Sequence, residues 1–188
     1  VSTPTAYQNT KISMLVCPTD TSGSGGNGFG SPVGPDGTFA ISNYAWNYLA
    51  SGEPASNRQE GAAKLPASFP DGTSQTIFFG ERYAWYGNGN VNGTPCSSLW
   101  FNSENRWMAQ ICSAPYAGGT GYAPCPLFQV KPLVLNAPNA SGGGSSPHTG
   151  VLTVGMGDGS VRNVAASISA ATWASLCDPR DGVPINDF

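Results

Sequence analysis

The sequence has few charged residues. Asp, Glu, Lys and Arg make up 10% of its 188 residues, whereas about 25% is usual for a soluble domain. The net charge is −3 and the basic residues form no cluster, so no nucleic acid is expected as a partner. No apolar run approaches the roughly 20 residues that a membrane helix needs. Since the sequence opens at Val1 with no leader, we expect membrane contact only through a helix that this sequence does not contain.

Paired metal-binding motifs are also missing, because none of the five cysteines forms a C-x-x-C pair and there is a single histidine. A zinc site is therefore not expected. Cys96, Cys112 and Cys125 share a stretch rich in aromatic and turn residues, where a disulfide would brace long loops. A second bridge between Cys17 and Cys177 would join the two ends. We expect an extracellular, cell-surface or periplasmic location; five reduced buried thiols are the alternative.

Glycine, proline and aromatic residues are abundant instead. The chain has 25 Gly, 16 Pro and 20 aromatic side chains among 39% hydrophobic residues, so the composition is that of a folded, loop-rich protein. We expect one α+β domain over residues 1–188, dominated by an antiparallel sheet with long loops. A loop-rich insertion is expected at about 84–127 and a short C-terminal helix at 167–178, where Ser167 or Ser169 is the candidate cap.

Two segments predict strands on the sheet. The stretch 39–50 alternates aromatic residues with a period of two, and 76–85 is rich in β-branched and aromatic residues. Glu81 lies in the middle of the second strand. A carboxylate among apolar neighbours must face solvent or find a partner, and Arg82 and Arg106 are the candidates.

The stretch "VLTVGMGDGSVRNVA" at 151–165 predicts a β-hairpin. Asp158 and Gly159 form a two-residue turn signal, which would place Met156 opposite Val161. The alternation then predicts an apolar face of Leu152, Val154, Met156 and Val161, and a polar face of Thr153, Gly155, Ser160 and Arg162.

The lone histidine, His148, precedes this hairpin. We expect its ring to bond to a nearby backbone group or carboxylate and so to hold the loop where it enters the sheet. Asp158 is expected to be a turn residue, and Arg162 to pair with Glu81 or another carboxylate. Catalysis is not expected, because His148 lies in a Gly/Ser-rich loop with no nucleophile-elbow pattern and no motif pairs two carboxylates.

Several segments occur in an order that resembles one family. They are "LVCPTD" (15–20), "NYAWNY" (43–48), "DGTSQTIFFGER" (71–82), "FQVKP" (128–132), His148 followed after nine residues by Asp158-Gly159, and "TWASL" (172–176). This set resembles the large planctomycete family DUF1559, whose signature is H-x9-DG. Its members typically begin with a prepilin-type leader and a hydrophobic helix, like type IV pilins and type II secretion pseudopilins.

The resemblance implies an exported, pilin-like or pseudopilin-like structural subunit of a surface or extracellular assembly, with a pilin-like sheet. Its partners would be copies of itself or other subunits of that kind. Pseudopilins often carry calcium in a C-terminal loop, so the resemblance also makes Asp178, Asp181 and Asp187 candidate ligands of a structural calcium. No D-x-D-x-D loop is present, and solvated or capping carboxylates are the alternative. No other cofactor is expected.

The aromatic residues of the insertion suggest a competing function. Trp85, Trp100, Trp107 and Tyr116 lie among Asn and Gly residues. Such sets stack on sugars or form protein interfaces, so an extracellular carbohydrate- or solute-binding module is the alternative function. A second small core beneath the loops is the structural explanation of the same pattern.

Overall fold

The computed structural model describes residues 8–22, 29–30, 39–54, 58, 61–91, 94–100, 107–113, 124–138, 142–183 and 185. The strands are β1 (Phe29–Gly30), β2 (Phe39–Ala40), β3 (Tyr44–Asn47), β4 (Ile77–Glu81), β5 (Trp85–Val91), β6 (Thr94–Ser97), β7 (Gln110–Ile111), β8 (Gln129–Val130), β9 (Ser145–Ser146), β10 (Val151–Met156) and β11 (Val161–Ala165). The α-helices are α1 (Tyr48–Ser51) and α2 (Ala170–Cys177), and 3₁₀ turns cover Ser13–Leu15, Thr73–Gln75 and Val134–Asn136. Within these ranges, no helix combines the length and the apolar character needed to cross a bilayer.

A five-stranded sheet in the order β11-β10-β4-β3-β7 organises the fold. The first three pairings in that order are antiparallel, and β3 pairs with β7 in parallel. The fold is therefore α+β and β-dominated, as predicted, but its central sheet is mixed. A parallel neighbour needs a long connection, and the chain between β3 and β7 supplies it through β4, β5 and β6.

The predicted strand at 39–50 is divided into β2, β3 and α1. Asn47 ends the strand because its side-chain oxygen accepts a hydrogen bond from Leu49 N at 3.0 Å and caps α1. The amide of Asn47 donates to the carbonyls of Ile77 and Cys177, each at 2.7 Å. One buried side chain thus starts a helix and ties it to both β4 and α2.

The main core lies between the inner face of the sheet and α2. Ser169 caps α2 by accepting a hydrogen bond from Thr172 N, as predicted. Trp173 is fully buried, stacks edge-on against Phe128 at 4.8 Å and donates its indole N–H to the carbonyl of Pro126 at 2.8 Å. The sheet residues in this core include Ile77, Leu152, Val154, Met156 and Val164.

The hairpin exists, but its register differs from the predicted one by one position. Leu152 lies opposite Val164, and Val154 opposite Arg162. The turn is longer than two residues: Met156 N donates to Ser160 O at 2.8 Å, and Gly159 adopts φ 85°. A glycine in this conformation completes a three-residue hairpin loop.

The shifted register reverses the faces of β11, because a slip of one residue exchanges the two sides of a strand. The assignment of Val161 to the apolar inner face is wrong. Val164 occupies the core position, while Val161 is 72% exposed on the outer face of the sheet.

Candidate functional site

A buried carboxylate, Asp20, connects three segments of the chain. One oxygen accepts hydrogen bonds from Ala84 N at 2.7 Å and from the Ser22 hydroxyl at 2.9 Å. The other oxygen accepts from Ser22 N at 2.8 Å. The amide of Asn43 also donates to Asp20 and, at 3.0 Å, to the carbonyl of Arg82. The segments after β4, before β3 and after the first 3₁₀ turn therefore meet at one fully bonded group.

A second buried carboxylate, Glu81, ends β4. One oxygen lies 2.9 Å from Nε2 of His148, which is an ion pair when the ring is protonated. The other oxygen accepts from the Ser146 hydroxyl and from Thr153 N, both at 2.9 Å. The ring of His148 thus bonds to a carboxylate at the entry to β10, and it holds the loop that contains β9 against β4.

The Ser146, His148 and Glu81 side chains are close together, but they do not have the arrangement of a nucleophilic triad. The Ser146 hydroxyl donates to Glu81, and His148 contacts Ser146 Oγ through its backbone N–H, at 3.1 Å. Ser146 is completely buried. A catalytic serine needs a base that takes its proton and access to substrate. In this geometry the three residues bond to one another.

Arg82, next in sequence, points away from Glu81 and is fully buried. Its guanidinium donates to the carbonyls of Gln110 at 2.7 Å and Met108 at 3.2 Å, and it lies 4.1 Å from the centre of the Tyr86 ring. Burial lowers the pKa of Arg82. The predicted pairing of Glu81 with Arg82 is wrong, because successive residues of an extended chain point to opposite sides. Arg106 lies outside the described residues.

Three buried cysteine sulfurs form a further cluster. Cys112 and Cys125 are joined by a disulfide, which confirms a bridge within the predicted trio. The sulfur of Cys177 lies within 4.8 Å of both, and burial raises the pKa of its thiol well above the usual value. Since the disulfide holds two of the three sulfurs, a soft metal ion would find three thiolates here only after reduction.

The predicted bridge between Cys17 and Cys177 is wrong. Both residues are buried outside the disulfide. Cys17 lies 3.0 Å from the Thr19 hydroxyl, whereas α2 carries Cys177 to Cys112 at the end of β7. The helix packs into the main core, and this packing separates its last residue from the N-terminal segment.

The candidate calcium ligands bond mainly to nearby backbone. Asp178 accepts from Arg180 N at 3.1 Å, and Asp181 accepts from Val183 N at 2.8 Å. Asp187 lies outside the described residues. Burial raises the pKa of Asp178; burial and then the charge of Asp181 raise the pKa of Asp71. A calcium ion at these aspartates stays a prediction.

The candidate aromatic site is only partly described. Trp107 packs against two small buried clusters, one around Leu99 and one around Tyr86. Trp85 and Trp100 are half-buried, and Tyr116 lies outside the described residues. The described contacts of Trp107 therefore agree with a second small core beneath the loops, which was the structural alternative to a sugar- or solute-binding site.

The hairpin tip is exposed and bonds within itself. Asp158 accepts from the N–H of Ser160 at 2.9 Å and from its hydroxyl at 2.7 Å. The Ser160 hydroxyl is the main reason that the pKa of Asp158 is lowered, and Arg162 adds to the effect. Glu81 bonds to His148, Ser146 and Thr153. Of the two predicted alternatives for Arg162, pairing with Glu81 or with another carboxylate, only the first is therefore wrong.

An open cleft of about 420 Å³ lies beside α1. It is lined mainly by alanine and proline residues together with Glu53, Ser68 and Arg180. Arg180 donates to the carbonyl of Leu49 at 2.8 Å, which fixes one charged group at the rim. The cleft therefore has one cation, one carboxylate and one hydroxyl group in its lining.

The outer face of the sheet carries uncovered apolar side chains. Met14 is 80%, Val161 72% and Phe79 52% exposed; we call these three residues the outer strip. With Leu15 and Tyr44 they line a shallow groove of about 290 Å³. A contiguous exposed apolar surface of this kind is typical of an interaction site.

Residues 2–171 match the family described as "Protein of unknown function (DUF1559)". The chain belongs to the DUF1559 family. The match includes His148 and the Asp158-Gly159 pair, and therefore the spacing that suggested the family. No curated protein matches the chain significantly. No solved structure matches it significantly either.

In this DUF1559 protein, the segments that carried the resemblance meet in the interior. Asp20 and Asn43 come from two of them, and Glu81 and His148 from two others. Sequence reasoning missed Asp20, Asn43 and Ser146 as members of these networks. The sequence contained one local signal: a Ser two residues after Asp20 predicts a turn in which the carboxylate accepts from the backbone. The long-range partners of Asp20 could not be predicted from the spacing of residues.

Proposed function

We propose that this DUF1559 protein is an exported structural subunit, which assembles with copies of itself or with other pilin-like subunits at the cell surface or outside the cell. The outer strip carries this proposal. Phe79 and Val161 are large apolar side chains exposed on one face of the sheet, and Met14, from the first 3₁₀ turn, lines the same groove. An assembly would remove this surface from water, which is favourable by about 25 cal/mol per Å² of apolar area.

Two other features support the proposal. The disulfide between Cys112 and Cys125 is a bond that persists in oxidising compartments outside the cytosol. The residues of the family signature make structural contacts: His148 joins its loop to Glu81 of β4, and Asp158 bonds to Ser160 within a turn. Chemistry on a substrate would instead need such groups to converge on an accessible cleft.

Assembly is tested with the full chain and one pair of variants. Phe79→Lys puts a charge on the outer strip, whereas Leu133→Lys puts the same charge on an exposed leucine, 74% exposed, outside it. Light scattering and negative-stain images over a range of concentrations should show assemblies for the natural chain and for Leu133→Lys. Phe79→Lys should remain dispersed. A natural chain that stays monomeric at every concentration would refute the proposal.

A further inference from the structure

The two edges of the five-stranded sheet differ in length and exposure. At one edge, β7 has two residues, both buried. At the other edge, β11 has five residues, of which four are exposed. Natural edge strands are usually protected by proline, a bulge, several charged side chains or extreme shortness. β11 has no proline, its pairing with β10 is regular over all five residues, and Arg162 is its one charged residue.

The register shows which backbone groups of β11 point away from the sheet. Met156 N donates to Ser160 O, and Ala166 N donates to Gly150 O, both at 2.8 Å. Bonded pairs alternate along an antiparallel ladder, so Arg162 and Val164 also direct their backbone groups to β10. The N–H groups of Val161, Asn163 and Ala165 therefore point outward, where the described sheet has no further strand.

We propose that β11 is the pairing edge for a second copy of this chain, with the two β11 strands antiparallel about a two-fold axis at Asn163. This inference adds a contact at the sheet edge to the assembly proposed through the outer strip, and it rests on that proposed function. In this register Asn163 lies opposite its own copy, and Val161 lies opposite Ala165 of the second copy. The arrangement is isologous, as in most two-fold dimers, and it is a form of strand addition to a sheet edge.

The hydrogen bonds of this register are self-consistent. All three outward-pointing residues fall into bonded pairs. Asn163 pairs with Asn163 of the second copy, and the N–H of Ala165 in each copy donates to the carbonyl of Val161 in the other. The carbonyl of Ala165 already accepts from Ile168 N at 3.0 Å, so the N–H of Val161 shares that oxygen. No other register in which β11 pairs with itself along its full length is available, because a shift shortens the ladder.

Side chains support the same register. Arg162 falls opposite Val164 of the second copy. The two guanidinium groups are therefore not directly opposed, whereas two like charges facing each other would destabilise the pairing. Val161 belongs to the outer strip and lies on the outer face in both copies. Pairing at β11 therefore joins the two outer strips into one longer apolar surface on a continuous sheet.

The register predicts one cross-strand contact that a charge pair can test. In Val161→Lys/Ala165→Lys, like charges face each other across the new interface; in Val161→Lys/Ala165→Glu, opposite charges do. Both double variants carry the same lysine on the outer strip, which weakens contacts through that strip equally, so a difference between the variants reports the edge contact. Within one copy, positions 161 and 165 are not neighbours. Sedimentation velocity over a concentration range should give a dissociation constant about ten-fold or more higher for the first variant than for the second.

A second pair of variants tests the backbone bonds. Asn163→Pro removes an outward N–H that the described sheet does not use, and edge strands tolerate proline at such positions. Asn163→Ala is its control, since both changes remove the side-chain contact with Thr153. Far-ultraviolet circular dichroism should show both variants folded. Asn163→Ala should associate as the natural chain does, and Asn163→Pro should not.

The outcomes separate the two proposals. Association of the natural chain together with both predicted differences supports pairing at β11. Association that is equal in the two charge variants, or equal in the proline and alanine variants, overturns the edge contact and leaves the assembly role intact. A natural chain that is monomeric throughout overturns both.

Discussion

At the scale of single residues, the interior is held by polar groups that each bond to distant parts of the chain. Glu81 shows what the sequence could predict: a carboxylate in an apolar strand needs a partner. The identity of that partner was not predictable, because Ser146 and His148 are more than 60 positions away. The nearby arginine was the wrong choice since Arg82 points to the opposite side of the chain and bonds to carbonyls.

Replacing Glu81 should be costly. Glu81→Ala leaves the buried Ser146 hydroxyl and the part-buried Thr153 N without an acceptor, so we expect the free energy of unfolding to fall by about 2–4 kcal/mol. Glu81→Gln keeps one acceptor and should cost less. Asp158→Ala, at the exposed tip, is the control with a small effect. Urea denaturation measures all three; equal losses for Glu81→Ala and Asp158→Ala would contradict the bonding described.

Asp71 should make stability depend on pH in a defined direction. Burial and the charge of Asp181 raise its pKa in the folded state, so the folded state holds this proton to higher pH than the unfolded state does. Protonation of Asp71 therefore stabilises the folded state. This contribution is fully present below the pKa of the unfolded state, near 3.9, and is lost as pH rises through the pKa of the folded state. As pH rises from the acid side, the melting temperature of Asp71→Asn should therefore increase relative to that of the natural chain. A difference that is independent of pH would contradict this.

At the scale of secondary-structure elements, the sequence predicted which segments form β4, the hairpin and α2, because their periodicity and capping signals are local. It predicted the hairpin register wrongly, because "GDG" fits both a two-residue and a three-residue loop. The pattern of apolar residues did not separate these loops: both Val161 and Val164 can supply an inner-face side chain, and packing against the core selects Val164.

The three-residue loop makes a prediction about its glycine. Gly159 has φ 85° and open space around its Cβ position, so Gly159→Ala should cost about 1–2 kcal/mol through backbone strain alone. Gly155→Ala is the control: the added Cβ would lie 3.6 Å from Phe79, an ordinary contact, on a backbone without positive φ. Thermal denaturation should show a clear loss for Gly159→Ala only. Equal effects would argue against the loop conformation.

At the scale of the whole molecule, one disulfide and a mixed sheet bring the long middle region back to the core. Cys125 follows Cys112 by 13 positions, and closing a loop of that length stabilises a fold by about 3 kcal/mol. The presence of a bridge among Cys96, Cys112 and Cys125 was predictable from their shared loop-rich stretch. The pairing, and the position of Cys177 beside it, depend on how α2 packs and were not.

The covalent state gives a direct check. Thiol titration of the denatured, unreduced protein should find three reactive cysteines, and peptide mapping should find Cys112 linked to Cys125. The double variant Cys112→Ala/Cys125→Ala should unfold more easily by about 3 kcal/mol, and Cys177→Ala should keep the bridge. A peptide that links Cys17 to Cys177 would contradict the arrangement.

The proposed function depends on the surface that the sheet would present to other subunits. Hydrogen exchange of the natural chain, measured by mass spectrometry at low and at high protein concentration, tests this claim most directly. We predict that a higher protein concentration slows exchange in the segments 13–16, 77–81 and 161–165 and leaves exchange in 84–100 unchanged. Exchange that does not depend on concentration, or protection confined to residues 84–100, would contradict the proposed assembly.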